Sequence, residues 1–268
     1  MAENTLKAAD NAAKANDLLA QATAEPETAQ EVKVVAPTDV LVNLPGGLVI
    51  DGEIVKTAEV RELTGRDEEA IARAGRQKIY TTMLNRATKS IGSKQATEEM
   101  LDNLLVGDRN EILLGIYRAT FGNEAEVPSW CEGCEAVKTV GVDILEDIKR
   151  KVLLDPVSDA TFAVKGKKNE FLVTLPTGVT EKRINANPEM SLAESVTILL
   201  EQTVLKIDGQ PVFSKSQIQN LGVMDRRTIA DEITSRTPGP QFDDLSVKCP
   251  DCEGEVQVPI SLGTLFRI

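Results

Sequence analysis

Two Cys-x-x-Cys pairs, Cys131/Cys134 and Cys249/Cys252, force distant parts of this chain together, because 114 residues lie between Cys134 and Cys249. They contain all 4 cysteines of the 268 residues. Each pair presents two thiolates from one tight turn, whose backbone amides can donate to sulfur. Zinc bound by sulfur alone takes four thiolates in a tetrahedron, at about 2.3 Å. Neither pair suffices by itself. Together they predict one structural Zn2+ per chain, held by Cys131, Cys134, Cys249 and Cys252 in a zinc ribbon split by a whole inserted subdomain. Four protein ligands leave no position for a substrate, so the metal is expected to be structural. The competing readings are redox or reactive thiols and disulfides. A thioredoxin-like motif would open a helix in a βαβ unit, whereas a strand pattern follows each pair here.

Composition narrows the chemistry further. Histidine is absent, which removes the commonest general base, Ser-His and Cys-His nucleophiles, and His-containing catalytic metal sites. With no catalytic constellation elsewhere, a non-enzymatic protein is expected. The formal charge of −12 repels phosphate backbones and anionic membranes and favours a basic protein partner. Aromatic residues are only 3%, too few for a base-stacking platform of the usual kind. Neither nucleic acid nor membrane is an expected partner. No stretch approaches the roughly 20 apolar residues of a span, and no apolar segment follows a basic start. The chain is therefore expected in the cytoplasm, where reduced thiols suit a metal.

Along the chain, residues 1–36 carry few large aliphatics and read as a flexible N-terminal arm. Val40–Val42 leads into Leu44-Pro45-Gly46-Gly47, and Leu48–Val55 turns at Asp51-Gly52 as a hairpin. Thr64-Gly65-Arg66-Asp67 starts a helix, and further helices are expected over 76–90, 97–105, 109–120, 145–154, 189–206 and 215–236. Strands are expected at 137–144, 171–175 and 256–260. One order recurs. Leu44-Pro45-x-Gly47, then Asp108-Arg109-x-x-Ile112-x-x-x-Ile116, then a Cys pair, is matched by Leu175-Pro176-x-Gly178, Asp225-Arg226-x-x-Ile229-x-x-x-Ile233 and the second pair. The pattern predicts an α+β fold of two pseudo-repeated lobes, each a small antiparallel sheet plus helices, joined by the split four-Cys ribbon. The first lobe is 37–154 and the second 155–268. If the halves are related by a two-fold, helices 109–120 and 225–236 superpose about an axis through the metal.

Other residues read as structural. Arg73, Arg76, Lys78, Arg86, Lys89 and Lys94 could dock an acidic partner, but a solvated helix face accounts for them better. Trp130 could anchor an interface; shielding the metal from water is the preferred role. Asp67, Glu68 and Glu69 are taken as helix N-terminal charge.

The order of Leu44–Gly47, Val60–Glu69, Leu105–Arg109 with its helix and Cys pair, and Pro238-Gly239-Pro240 through Cys249–Cys252, Val258–Ile260 and Phe266-Arg267 resembles tailed-bacteriophage proteins of the T4-type baseplate hub family. The resemblance covers about residues 38–268 and lies in order and spacing. It implies a part in building the centre of a phage tail baseplate, with other tail or baseplate proteins as partners. An oligomer is compatible with that role. The expected place is the host cytoplasm during assembly and then the virion tail. Alternatives are a transient tail assembly chaperone absent from the virion, and a zinc-ribbon nucleic-acid binder, which the charge opposes.

Overall fold

The computed structural model describes residues 38–243 and 245–267; the expected arm at 1–36 lies outside them. The first lobe opens on a hairpin of β1 (Asp39–Ile50) and β2 (Glu53–Arg61), turned at Asp51 and Gly52 with φ of 53° and 84°, as a type I′ turn requires. After α1 (Gly65–Arg73), a 3-10 turn (Arg76–Lys78) and α2 (Ile79–Ala87), β3 (Thr88–Ile91) and β4 (Lys94–Gln95) complete a sheet of order β1-β2-β3-β4. α3 (Glu98–Asn103) and α4 (Val106–Phe121) follow. α4 covers the sheet with Ile112 and Ile116 fully buried, and the lobe's core is aliphatic.

The second lobe runs β8 (Thr161–Lys165), β9 (Glu170–Thr174), α5 (Gly178–Asn185), α6 (Leu192–Thr203), β10 (Val204–Ile207), β11 (Gln210–Pro211), α7 (Lys215–Gln219) and α8 (Val223–Arg236). This is the element order of the first lobe, and its sheet has the corresponding order, β8-β9-β10-β11. The paired Asp-Arg segments do equivalent work. Asp108 and Asp225 stand in the first turns of α4 and α8, buried, and each accepts a backbone N–H from its lobe's sheet, that of Gly46 within β1 and that of Lys167 in the turn between β8 and β9. Arg109 donates to the carbonyl of Leu101 in α3, and Arg226 to that of Ile218 in α7, each eight residues back. Each dipeptide thus ties its long helix to a sheet loop and to the short helix before it.

The lobes meet where α4 begins. Val106 N–H donates to Pro176 O at 3.0 Å, Gly178 N–H donates to Leu104 O at 3.0 Å, and Leu105 enters the second lobe's core. Gly107 permits this approach, since a Cβ there would stand 1.5 Å from the Pro238 carbonyl oxygen. Arg109 lies over Gly178 and pairs with Glu181 at 2.8 Å.

Burial pushes the Asp108 carboxyl up to about 6, against the pull of the Gly46 and Gly47 amides. An unfolded aspartate titrates near 3.9, so the native state binds the proton more tightly between these values. The stability contributed by protonation is full below about pH 4 and lost as pH rises through about 6. Relative to Asp108→Asn, the wild type should lose about 2–3 kcal/mol between pH 4 and 7 in urea titrations. A flat difference curve would contradict the burial argument.

Several expected elements are cut or replaced. The 76–90 helix stops at Ala87 and the 189–206 helix at Thr203, because the residues beyond are recruited as β3 by β2 and as β10 by β9. The 215–236 helix breaks at Asn220–Gly222. Residues 145–154 are not helical: Asp143 accepts the amides of Leu145 and Glu146, and Arg150 takes the carbonyls of Ile144, Leu145 and Ile148. The segment becomes β7 (Lys149–Lys151), paired with β12 (Gly239–Gln241). The two Leu-Pro turns do not correspond. Leu44–Gly47 is a bulge inside β1, between the Asn43 and Leu48 pairings, whereas Leu175–Gly178 joins β9 to α5. The counterpart of the latter is Leu63-Thr64-Gly65, where Thr64 and Thr177 each cap a helix beginning with glycine.

Candidate metal centre

Each Cys pair lies in the turn of a two-stranded ribbon. β5 (Glu124–Cys131) pairs with β6 (Ala136–Asp143) along its whole length, and β13 (Ser246–Lys248) pairs with β14 (Glu255–Gln257). The two turns share a backbone conformation at one position but differ in hydrogen bonding, since the Glu135 amide donates to Glu132 O at 3.4 Å. The residue after the second cysteine, Glu135 or Glu253, is left-handed, with φ of 49° and 57°. The Glu253 amide then donates to Cys249 O at 3.0 Å. β14 packs against β5 and β13 against β6, and the ribbons share a core with α9 (Leu262–Phe266) and with Leu114 and Tyr117 of α4. Val127, Val140, Val256 and Val258 are buried in it.

This packing brings Cys131 Sγ to 3.5 Å from Cys252 Sγ and Cys134 Sγ to 3.8 Å from Cys249 Sγ. All four sulfurs lie within 4.8 Å of one another, a set that can hold a metal ion. Cys131 and Cys249 are buried and Cys252 is exposed. The turns polarise the thiols unequally. The Asp251 and Cys252 amides pull Cys249 down to about 7, whereas the hydrogen bond to Cys252, followed by burial, pushes Cys134 up to about 12. The Cys134 amide favours the Cys131 thiolate, but burial and the neighbouring thiols raise that group. Four thiolates crowd one point, and a cation is what allows all of them to ionise together.

The other singled-out residues are placed differently from expectation. Trp130 does not cover the cysteines. Cys131 faces inward on β5, so its strand neighbour faces out, and Trp130 is 57% exposed opposite Val137 at 63%. The basic set forms no single face. Arg73 pairs with Glu69, Arg86 with Asp67, Lys89 with Asp39 and Glu59, and Lys94 with Asp51. Asp67 is more than a helix-end charge. It is buried and receives Arg61, Arg86 and Thr64. Burial opposes its ionisation, but these donors hold it well below the usual carboxylate range. The buried Arg109 pairing was not foreseen, although its repeated Asp-Arg context marked the position.

No helix among the described residues is long and apolar enough to cross a membrane. No protein-family model matches the chain, and neither curated proteins nor solved structures yield a significant match.

Proposed function

We propose that this chain is a non-enzymatic protein of bacteriophage tail assembly, a baseplate hub component or hub assembly factor, stabilised by one structural zinc ion. The observation that carries the metal reading is the sulfur geometry. A tetrahedron with zinc–sulfur bonds of about 2.3 Å has edges of about 3.8 Å, and the cross-ribbon sulfur pairs stand at 3.5 and 3.8 Å. Thiolates favour zinc over the oxygen-seeking magnesium and calcium. With four protein ligands the ion fastens the two ribbons and offers no place for a substrate. The tail role is supported by the ordered resemblance of residues 38–268. Around the cysteines the exposed Glu132, Glu135, Asp251 and Glu253 oppose nucleic-acid binding through counterion release.

Elemental analysis of protein purified under reducing conditions should give one zinc per chain; none or two would refute the site. The tail role is tested by deleting the gene from the phage that carries it. Loss of assembled baseplates is expected, and normal tails would reject the role. Mass spectrometry of purified virions separates a hub component, which is present, from an assembly chaperone, which is missing.

A further inference from the structure

One groove of the first lobe repeats the seat that joins the lobes and, among the described residues, has no segment seated in it as Leu105–Arg109 is in the other. It has a volume of about 340 Å³ and is lined by Leu63, Gly65, Glu68, Met83, Phe121 and Phe266, the last two rings meeting edge to face. Four positions in or beside it match those of the inter-lobe seat. Gly65 and Gly178 open their helices after a capping threonine. Glu68 and Glu181 stand three residues further on. Thr120 and Thr237 close the long helices, each hydroxyl donating to the carbonyl four residues back at 2.7 Å. Gly122 and Gly239 follow with φ of 93° and 112°.

In the second lobe this seat is filled by Leu105–Arg109, with Arg109 over Gly178 and on Glu181, and Gly107 against Gly239. In the first lobe a Cβ on Gly65 or Gly122 would meet nothing within 4 Å. Glu68 is exposed and enters no ion pair among the described residues, and Phe121 is 60% exposed. Gly65 has no positive φ to account for it. Among the described residues, nothing requires a glycine there.

We propose that this groove receives the start of a helix from a different protein, carrying a leucine that enters beside Met83 and Phe121 and an arginine that pairs with Glu68. The occupant resembles Leu105-Val106-Gly107-Asp108-Arg109 in chemistry. A second copy of this chain does not supply it. Its own 105–109 is spent in the lobe joint, and the equivalent start of α8 has Gly222 in place of the leucine and Met224 in place of the glycine. The inference stands apart from the metal and from the tail role.

The test uses the full chain and a fluorescent synthetic peptide of residues 98–113 as probe, read by fluorescence anisotropy. Saturable binding is expected, weakened about tenfold or more by Glu68→Arg, where like charges meet. The off-groove control Glu189→Arg should bind as the wild type does. A peptide carrying Arg109→Glu should bind Glu68→Arg protein better than it binds the wild type. Circular dichroism checks that the surface variants are folded. Absence of binding, or equal binding by Glu68→Arg, overturns the proposal. So does concentration-dependent self-association in sedimentation that Glu68→Arg abolishes, since the occupant would then be a second copy.

Discussion

Cys131→Ser and Cys249→Ser should each empty the metal site and destabilise the protein to a similar degree. One residue comes from each ribbon, and the two ribbons meet at one cluster with all sulfurs within 4.8 Å. Loss of either ligand leaves three, and the binding free energy of a structural zinc, about 10–16 kcal/mol in small zinc-binding peptides, is largely folding free energy. The ribbon core around Val127 and Val256 should loosen first, because the second ribbon adds to it only the three-residue strands β13 and β14, whose turn carries Cys249 and Cys252. Metal content should fall from one to near zero per chain, with a melting temperature lowered by 10 °C or more, on the order of a 3–5 kcal/mol loss. A chelator should reproduce the effect in the wild type and add nothing to either variant. A variant that keeps its metal, or one serine change that is silent while the other unfolds the chain, would show that the four sulfurs do not act as one site.

Arg109→Ala should cost about 3–5 kcal/mol, the usual penalty for removing one partner of a buried charge pair. The guanidinium is 1% exposed and donates to Glu181 at 2.8 Å and to the Leu101 carbonyl at 2.7 Å, with Asp102 3.9 Å away. Its removal leaves those acceptors facing a cavity at the joint between lobes. Arg109→Lys should recover only part of the loss, because a single ammonium cannot span the acceptors of the planar fork. Urea denaturation measures both variants. An alanine variant within about 1 kcal/mol of the wild type would mean that the joint rests on Leu105 and the backbone contacts instead.

The elements legible in sequence were those whose cause is local. Asp51-Gly52 makes its hairpin because a type I′ turn needs positive φ at both positions. Thr64 caps α1, and Ile112 and Ile116 line the buried face of α4 as their spacing implies. Asp108-Arg109 and Asp225-Arg226 were marked by repetition, though the burial of both aspartates and of Arg109 was not. The Leu-Pro turns misled because two similar tetrapeptides occupy different places: one bulges from β1 and the other opens α5.

Sequence alone determined that the four cysteines meet, since each turn can supply only half of a four-thiolate set and the chain has no further cysteine and no histidine to complete it. Tertiary structure decided what they join. The ribbons pack on each other and on Leu114 and Tyr117 of α4 instead of closing each lobe upon itself, and Trp130 turns outward because its inward neighbour is a cysteine. It also decided where helices end. Thr88–Ile91 and Val204–Ile207 have patterns that either a helix or a strand could use, and a waiting sheet edge, invisible in local sequence, settles the choice by hydrogen bonding. The joint at Gly107 depends on a backbone 131 residues away, at Pro238, so no reading of neighbouring residues could have located it.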